Sequence, residues 1–252
     1  MRQSDRFNHI IKQLSVQGSV AVGDLVDDMD VSAATIRRDL ALLEQQRLLA
    51  RTHGGAVAHG VLYELPLRYR SADRRDQKTR IARAAAARVP DGAAIGMTGG
   101  TTTTEVARVL SERRRLTVVT NSLSIASELA VRPNLKLVVT GGVARPESYE
   151  LVGPLAEGAL ASLNLDLVLV GVDGISVDEG FTTHHEVEAH TNYALIERAR
   201  RVIVVADSSK LGQVAFARIC RVDQVHELIS DTGAAPAEAE AIRAAGVEVT
   251  LV

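Results

Sequence analysis

Apolar residues in the first 45 positions recur at i, i+3, i+4 and i+7, the spacing that places them on one face of a helix. The pattern predicts a first helix that Gly18 ends, a short second helix, and a third helix that starts after Ser32. We expect Ser32 to cap the third helix by accepting a hydrogen bond from a free backbone N–H. The apolar positions that define these helices are Phe7, Ile10, Ile11, Leu14, Val22, Leu25, Val26, Met29, Ala33, Ile36, Leu40 and Leu43.

The inner stripe of the third helix leaves small and basic side chains on its outer side, in the first turns after the cap. They are Ala34, Thr35, Arg37 and Arg38. The N-terminal part of a recognition helix reads base edges, and a guanidinium group binds phosphate or grips guanine with two hydrogen bonds. The helices therefore indicate either a helix-turn-helix that binds double-stranded DNA or a small structural bundle with a solvated basic face.

Two short apolar runs flank a Gly pair after the third helix, which is typical of a β-hairpin. In a winged helix-turn-helix, Arg51 and His53 of this hairpin would contact the phosphate backbone. Residues 1–57 are thus the predicted DNA-binding domain, and residues 58–75 are the predicted linker to a domain at 76–252.

The pattern changes in the second domain, where continuous apolar runs alternate with helical patterns. Strands buried on both faces and separated by helices form a mostly parallel sheet, so the fold class is α/β. A helix that begins near Lys78 and ends before Pro90 precedes the sheet. The predicted strands lie at residues 93–97, 116–119, 135–140, 165–172, 202–206, 225–229 and 247–252, and the predicted helices between them at 103–110, 122–130, 155–163, 188–200 and 237–245.

Glycines and threonines follow the first predicted strand and open a helix. Glycines let a ligand approach the backbone, and free N–H groups at a helix N-terminus attract an anion. The stretch is neither a Walker A motif, because no Lys follows the Gly pair, nor a G-x-G-x-x-G dinucleotide motif. It is either a phosphate-binding loop or a tight turn, and its candidate ligand-binding residues are Gly99, Gly100, Thr101, Thr102 and Thr103.

Polar or glycine-rich loops also follow the other central strands. Ligands bind beyond the carboxyl ends of the strands in such sheets. Asp173 is a candidate to bind sugar hydroxyls and Lys210 to bind phosphate or a carbonyl oxygen, while Asn192 is polar on the inward stripe of its helix and needs a buried partner. The remaining candidates at these loops are Asn121, Gly141, Gly142 and Gly174.

Composition and charge modify this picture only slightly. Apolar residues make up 46% of the chain. The net charge of −2 argues weakly against nucleic-acid binding. Residues 58–90, however, hold eight Lys or Arg and three Asp or Glu, so this stretch has a net charge of +5. This basic stretch is either a solvated linker and helix face or a collar that attracts phosphate non-specifically. The single cysteine, Cys220, fits a reducing cytosol, and we expect neither a signal peptide nor a transmembrane helix.

Three histidines cluster with glutamates near residue 186, but their spacing matches no common metal-ligand pattern, so we expect no metal and no cofactor. They are His184, His185 and His190.

The first 57 residues resemble the helix-turn-helix and wing of the DeoR family of transcriptional regulators. The matching elements are Val31-Ser32, Thr-Ile-Arg-Arg-Asp-Leu at 35–40, the two leucines Leu43 and Leu49, and Arg-x-His-Gly-Gly-Ala at 51–56. The resemblance implies that Ser32, Thr35, Arg37 and Arg38 face DNA and that the wing lies near the backbone. The family also has a Tyr-x-x-Arg element at about Tyr69.

The resemblance continues through GGTTTTEVA, VVTNS, VVTGG, ELVGPLAE, GVDGI, GFTT and ADSSKLG. It implies a sensor domain similar to the fold that includes ribose-5-phosphate isomerase, with a phosphorylated sugar bound in the loops above. Two positions depart from the family pattern. The first loop reads Thr98-Gly99-Gly100 where Asp-Ser-Gly is frequent, and Asn192 stands where many members carry Lys.

These features predict a cytoplasmic repressor of sugar-metabolism genes, a homo-oligomer that a phosphorylated sugar releases from its operator. One alternative is an activator, because the sequence does not set the sign of regulation. The other is a sugar-phosphate isomerase, which needs a carboxylate base such as Asp173 or Glu186; neither belongs to an evident acid–base pair, so we expect no enzyme.

Overall fold

The computed structural model describes residues 1–45, 48–58 and 74–252 of the chain. The chain divides into two compact units, Met1–Arg70 and Ser71–Val252. Most of the predicted linker, including Tyr69, lies outside the described residues. In the part of the chain that is described, no helix has the length and apolar character needed to cross a membrane.

The N-terminal unit contains the three predicted helices, α1 (Gln3–Gln17), α2 (Val22–Met29) and α3 (Ala33–Gln45). Their apolar stripes meet in one core, as the spacing predicted, with Ile11, Leu25 and Ile36 almost fully buried. The α1 helix ends at Gly18, whose backbone N–H donates to the carbonyl of Leu14 at 2.8 Å.

A three-stranded antiparallel sheet completes the N-terminal unit. The predicted hairpin is present as β2 (Leu49–Arg51) and β3 (Gly55–Ala58), and it also pairs with β1 (Ser19–Ala21), which the sequence did not predict. Three residues are too few to show an alternating pattern. A Cβ at Gly55 would lie 1.9 Å from the carbonyl oxygen of Val20, so the close approach of β1 accounts for this glycine of the wing.

Seven parallel strands form the sheet of the C-terminal unit, and they are the seven that the sequence predicted. The strands are β4 (Ala94–Met97), β5 (Thr117–Thr120), β6 (Lys136–Val139), β9 (Leu167–Val170), β12 (Val202–Val205), β14 (Glu227–Ser230) and β15 (Glu248–Leu251). Their order in the sheet is β15-β14-β12-β9-β4-β5-β6.

Helices cover both faces of this sheet, which explains why its central strands are apolar at every position. In β9, Leu167 and Leu169 belong to one core and Val168 and Val170 to the other. The helices of this unit are α4 (Arg75–Ala87), α5 (Thr101–Leu110), α6 (Leu123–Leu129), α7 (Pro154–Leu160), α8 (Glu186–Glu197) and α9 (Pro236–Ala244).

Two small antiparallel sheets lie in segments that the sequence left as loops. One is a hairpin of β7 (Val143–Arg145) and β8 (Glu150–Val152). The other contains β10 (Gly174–Ser176), β11 (Gly180–Thr183) and β13 (Ala217–Cys220). Both follow strands of the parallel sheet along the chain, so they bring additional side chains to the edge where ligand binding was predicted.

A buried ion pair joins the first and third helices. The carboxylate of Asp39 on α3 is 1% exposed and accepts hydrogen bonds from Arg6 Nε at 2.6 Å and from Arg6 Nη2 at 3.2 Å. A buried carboxylate that keeps both hydrogen bonds is tolerated, whereas one that loses its partner is strongly destabilising. The orientation of α3 therefore depends on α1.

We predict that Arg6→Ala lowers the free energy of unfolding of the N-terminal unit by about 3 kcal/mol, because it leaves the charge of Asp39 buried without its partner. Amide hydrogen exchange at Leu40 and Leu43 measures this unit selectively. Arg2→Ala is the matched control, since Arg2 is exposed. Equal protection of these amides in both variants would contradict the role given to the ion pair.

Candidate functional site

The α3 helix begins with the cap that the sequence predicted. Ser32 Oγ accepts a hydrogen bond from the backbone N–H of Thr35 at 3.2 Å and lies 2.9 Å from Thr35 Oγ1. Ser32, Ala34, Arg37 and Arg38 are exposed, and Thr35 is half-buried. Since the buried Ile36 and Leu40 fix the opposite side of the helix, both arginines are available on its outer surface.

The wing and α3 share a cleft of about 450 Å³ in the N-terminal unit. Arg37, Arg51 and His53 line it, so the structure brings these three predicted residues together. Arg51 and His53 are exposed, and the backbone N–H of Val22 donates to the carbonyl of Gly54 at 2.8 Å, which holds the wing against the start of α2. Ser32, Ala34, Thr35 and Arg38 do not line this cleft.

In the C-terminal unit, the predicted phosphate loop connects β4 to α5. Gly100 has φ of 127°, a backbone conformation that favours glycine, and α5 starts at the next residue. The hydroxyl of Thr103 donates to the carbonyl of Gly100 at 3.0 Å and that of Thr104 does so at 2.7 Å. These two hydroxyls thus stabilise the loop, while Thr101 is half-buried and Thr102 buried beside it.

Asn121 and Asn192 meet in the interior, which confirms that the inward polar residue of α8 has a partner. Asn121 Nδ2 lies 3.1 Å from Asn192 Oδ1 and 3.1 Å from Glu150 Oε2, and donates to both. The three side chains come from the end of β5, from α8 and from β8, and all are buried. Glu150 is a residue that the sequence analysis did not select.

Glu150 also accounts for the first glycine of the predicted phosphate loop. A Cβ built on Gly99 would lie 2.2 Å from Glu150 Oε1, far inside van der Waals contact. The sequence analysis interpreted Gly99 as a residue that lets a ligand approach the backbone. The structure shows that its missing side chain makes room for a carboxyl group.

Asp173 and Lys210 are brought together as an ion pair, with 3.3 Å between Lys210 Nζ and Asp173 Oδ1. The hydroxyl of Thr183 bridges two carboxylates, because it lies 3.2 Å from Asp173 Oδ2 and 3.2 Å from Glu188 Oε2. Glu188 in turn binds Arg145 Nη1 at 2.7 Å. Two ion pairs joined by one hydroxyl thus connect the β7–β8 hairpin to the loop that carries Lys210.

The pKa of Glu150 is raised from 4.5 to about 8. Burial is the main cause, because it disfavours the charged form, and the nearby charge of Glu188 adds to it. Below that pH the carboxyl is neutral and can donate a hydrogen bond.

Two of the other predicted glycines have packing roles, and a third has a backbone conformation that favours glycine. A Cβ on Gly174 would lie 2.6 Å from the carbonyl oxygen of Gln213, and one on Gly142 would lie 2.9 Å from that of Val152. Gly141 is exposed and has φ of 71°. These residues shape the loops after β6 and β9.

Glu150, Glu188 and Arg145 are the polar residues that the sequence analysis missed. Glu188 had a usable signal, since it lies four positions before Asn192 and therefore on the same inward face of the helix. Glu150 and Arg145 had none, because three-residue strands do not display a periodic pattern.

One histidine of the predicted cluster caps the start of α8. His185 Nδ1 accepts a hydrogen bond from the backbone N–H of Val187 at 3.3 Å, so it caps the helix. Among the described residues, no group of three or more His, Cys, Asp or Glu is arranged to hold a metal ion. Cys220 is buried, and burial raises the pKa of its thiol to about 12.

Family models match both units. Residues 6–59 match the DeoR-like helix-turn-helix domain, and residues 73–232 match the DeoR C-terminal sensor domain. The chain is distantly similar in structure to ribose 5-phosphate isomerase A from Methanocaldococcus jannaschii. The sequence identity is 19% and the TM-score is 0.38, over 55% of each chain. This similarity is too low to assign a reaction to the chain.

Proteins related along nearly their whole length are named as regulators. The glycerol-3-phosphate regulon repressor of Escherichia coli K12 is 33% identical over 92% of this chain and 92% of its own length. The regulator GlpR of Haloferax volcanii is 35% identical over 99% of this chain and 98% of its own, and the transcriptional repressor AccR of Agrobacterium fabrum is 35% identical over 91% and 90%. The chain is thus a regulator and not an enzyme, and it belongs to the DeoR family of DNA-binding transcriptional regulators.

Proposed function

We propose that this regulator is a repressor of sugar-metabolism genes and that a phosphorylated sugar releases it from its operator. The observation that carries the proposal is the ion pair of Asp173 with Lys210 at the carboxyl edge of the sheet that also carries the loop at Gly99-Gly100. This edge offers a cation and helix N-terminal N–H groups to a phosphate, and a carboxylate and amides to hydroxyl groups.

The relatives support a phosphate ester as the effector and repression as the sign of regulation. One is named for a glycerol-3-phosphate regulon, and two are named as repressors. The ligand acts only if it binds more tightly to the state with low DNA affinity than to the state with high affinity.

The outer face of α3 supports recognition of double-stranded DNA. In our proposal Arg38 contacts base edges with Ser32, Ala34 and Thr35 close to the groove, while Arg37 contacts phosphate together with the wing residues Arg51 and His53. The protein acts in the cytoplasm as a homo-oligomer on repeated half-sites, the usual arrangement of such repressors. Apart from the effector, it uses no cofactor.

We predict that Arg37→Ala and Arg38→Ala each weaken operator binding by about tenfold or more, which corresponds to losing one phosphate or base contact. The duplex is selected from a random-sequence pool by the wild-type protein, and binding is measured by fluorescence anisotropy at fixed salt. Arg200→Ala is the control, because Arg200 is an exposed arginine of the C-terminal unit. Normal binding by both α3 variants would place recognition elsewhere.

We predict that one phosphate ester, and not its free sugar, releases the wild-type protein from this duplex. The panel contains glycerol 3-phosphate, ribose 5-phosphate, fructose 6-phosphate and the unphosphorylated compounds. Lys210→Ala should raise the concentration for half-release by about tenfold or more, because a charge-assisted hydrogen bond is lost. The exposed Lys136 provides the control variant Lys136→Ala. Operator affinity that no bound ester changes would refute release by an effector.

A further inference from the structure

We propose that Glu150 is a further recognition residue of the effector site and that its protonated carboxyl donates a hydrogen bond to a hydroxyl or carbonyl oxygen of the ligand. The inference rests on the proposed function, since it assigns a role within the same site. It also narrows the ligand class to phosphate esters that carry such an oxygen near the phosphate.

The position of Glu150 places it among the predicted effector residues. Its Oε2 accepts from Asn121 at 3.1 Å, and its Oε1 occupies the space that a side chain on Gly99 would need. The carboxyl group therefore lies against the backbone of the phosphate loop on one side and against the asparagine pair on the other.

Hydrogen bonds from Asn121 and Asn192 favour the ionised form of Glu150, but they only partly offset its burial and the negative charges that face it. Glu188 faces it from α8 and Asp173 from the loop after β9, and both raise its pKa. The neighbouring cations bind those two carboxylates instead, Arg145 at Glu188 and Lys210 at Asp173. Within the described part of the chain, no Lys, Arg or His forms an ion pair with Glu150, so binding a proton is the remaining way to remove its charge.

The asparagine beside Glu150 offers the complementary group. Asn121 Oδ1 is buried and has no hydrogen-bond partner among the described residues, although Asn121 Nδ2 has two. A buried acceptor without a donor is costly and is a natural place for a ligand group. The O–H of Glu150 and the Oδ1 of Asn121 together match a sugar hydroxyl, which accepts one hydrogen bond and donates another.

A neutral Glu150 is also compatible with a phosphorylated ligand. An ionised carboxylate would repel the phosphate, so binding above pH 8 requires Glu150 to take up one proton from solvent. Phosphate esters lose their second proton near pH 6, so their charge does not change above pH 7.5. A change in Kd above that pH therefore reports a group of the protein.

The test measures the affinity of the full chain for glycerol 3-phosphate, ribose 5-phosphate and fructose 6-phosphate at pH 7.5 and pH 9.0, at constant ionic strength. For the ester that binds, the wild-type Kd should rise about tenfold between these values, as expected for uptake of one proton. Glu150→Gln keeps a neutral donor, so its Kd should change by less than about twofold over the same range. Glu157→Gln is the matched control and should keep the wild-type dependence.

Two results would overturn the inference. A wild-type Kd that does not change with pH, or a Glu150→Gln variant that keeps the wild-type dependence, removes Glu150 from recognition and leaves the proposed function intact. If none of the esters binds at either pH, the proposed function fails and the inference fails with it.

A measurement without ligand separates recognition from folding. The raised pKa stabilises the fold at low pH, and this contribution is lost as the pH rises from about 4.5 to about 8. The melting temperature of Glu150→Gln minus that of the wild type should therefore increase between pH 5.0 and pH 8.5. A constant difference would mean that the carboxyl is not held neutral, and it too would overturn the inference.

Discussion

Seven parallel strands end at one edge of the sheet, and the chemistry of the C-terminal unit depends on this constraint. Because both faces of the sheet are covered by helices, the central strands β4, β9 and β12 can be apolar throughout, and polar side chains lie in the segments that follow them. There, buried carboxylates and amides must satisfy one another. The ion pair of Glu188 with Arg145, the ion pair of Asp173 with Lys210 and the raised pKa of Glu150 are three ways in which buried carboxyl groups are accommodated.

Continuous apolar runs predicted the parallel sheet, and the i, i+3, i+4 spacing predicted the helices of the DNA-binding unit. Both signals are local, so they are readable without a structure. The β7–β8 hairpin and the sheet of β10, β11 and β13 escaped prediction because none of their short strands is a continuous apolar run, and β13 pairs with β11 from a distant part of the chain. Asp39 shows the same limit, since its burial depends on a contact with Arg6, 33 positions earlier in the chain.

In the candidate effector site, the sequence predicted the polar residues better than it predicted the roles of the glycines. Their places after strands drew attention to Asn121, Asp173 and Lys210, and the inward stripe of its helix drew attention to Asn192. The structure brings Asn121 to Asn192 and Asp173 to Lys210. Glycines were harder to interpret. A sequence does not distinguish a glycine that leaves space for a ligand from one that leaves space for a neighbouring segment of the chain. Gly174 is of the second kind, because its neighbour is the carbonyl of Gln213, 39 positions later.

The contact between Gly99 and Glu150 links two positions that are distant in the chain. A serine at 99, as in the Asp-Ser-Gly-Thr-Thr pattern of related proteins, cannot coexist with the carboxyl group where Glu150 places it. The two positions should therefore co-vary across the family, with glycine at the first wherever a glutamate at the second points inward. A family member with serine at the first position and glutamate at the second would have to turn that carboxyl group away from the loop.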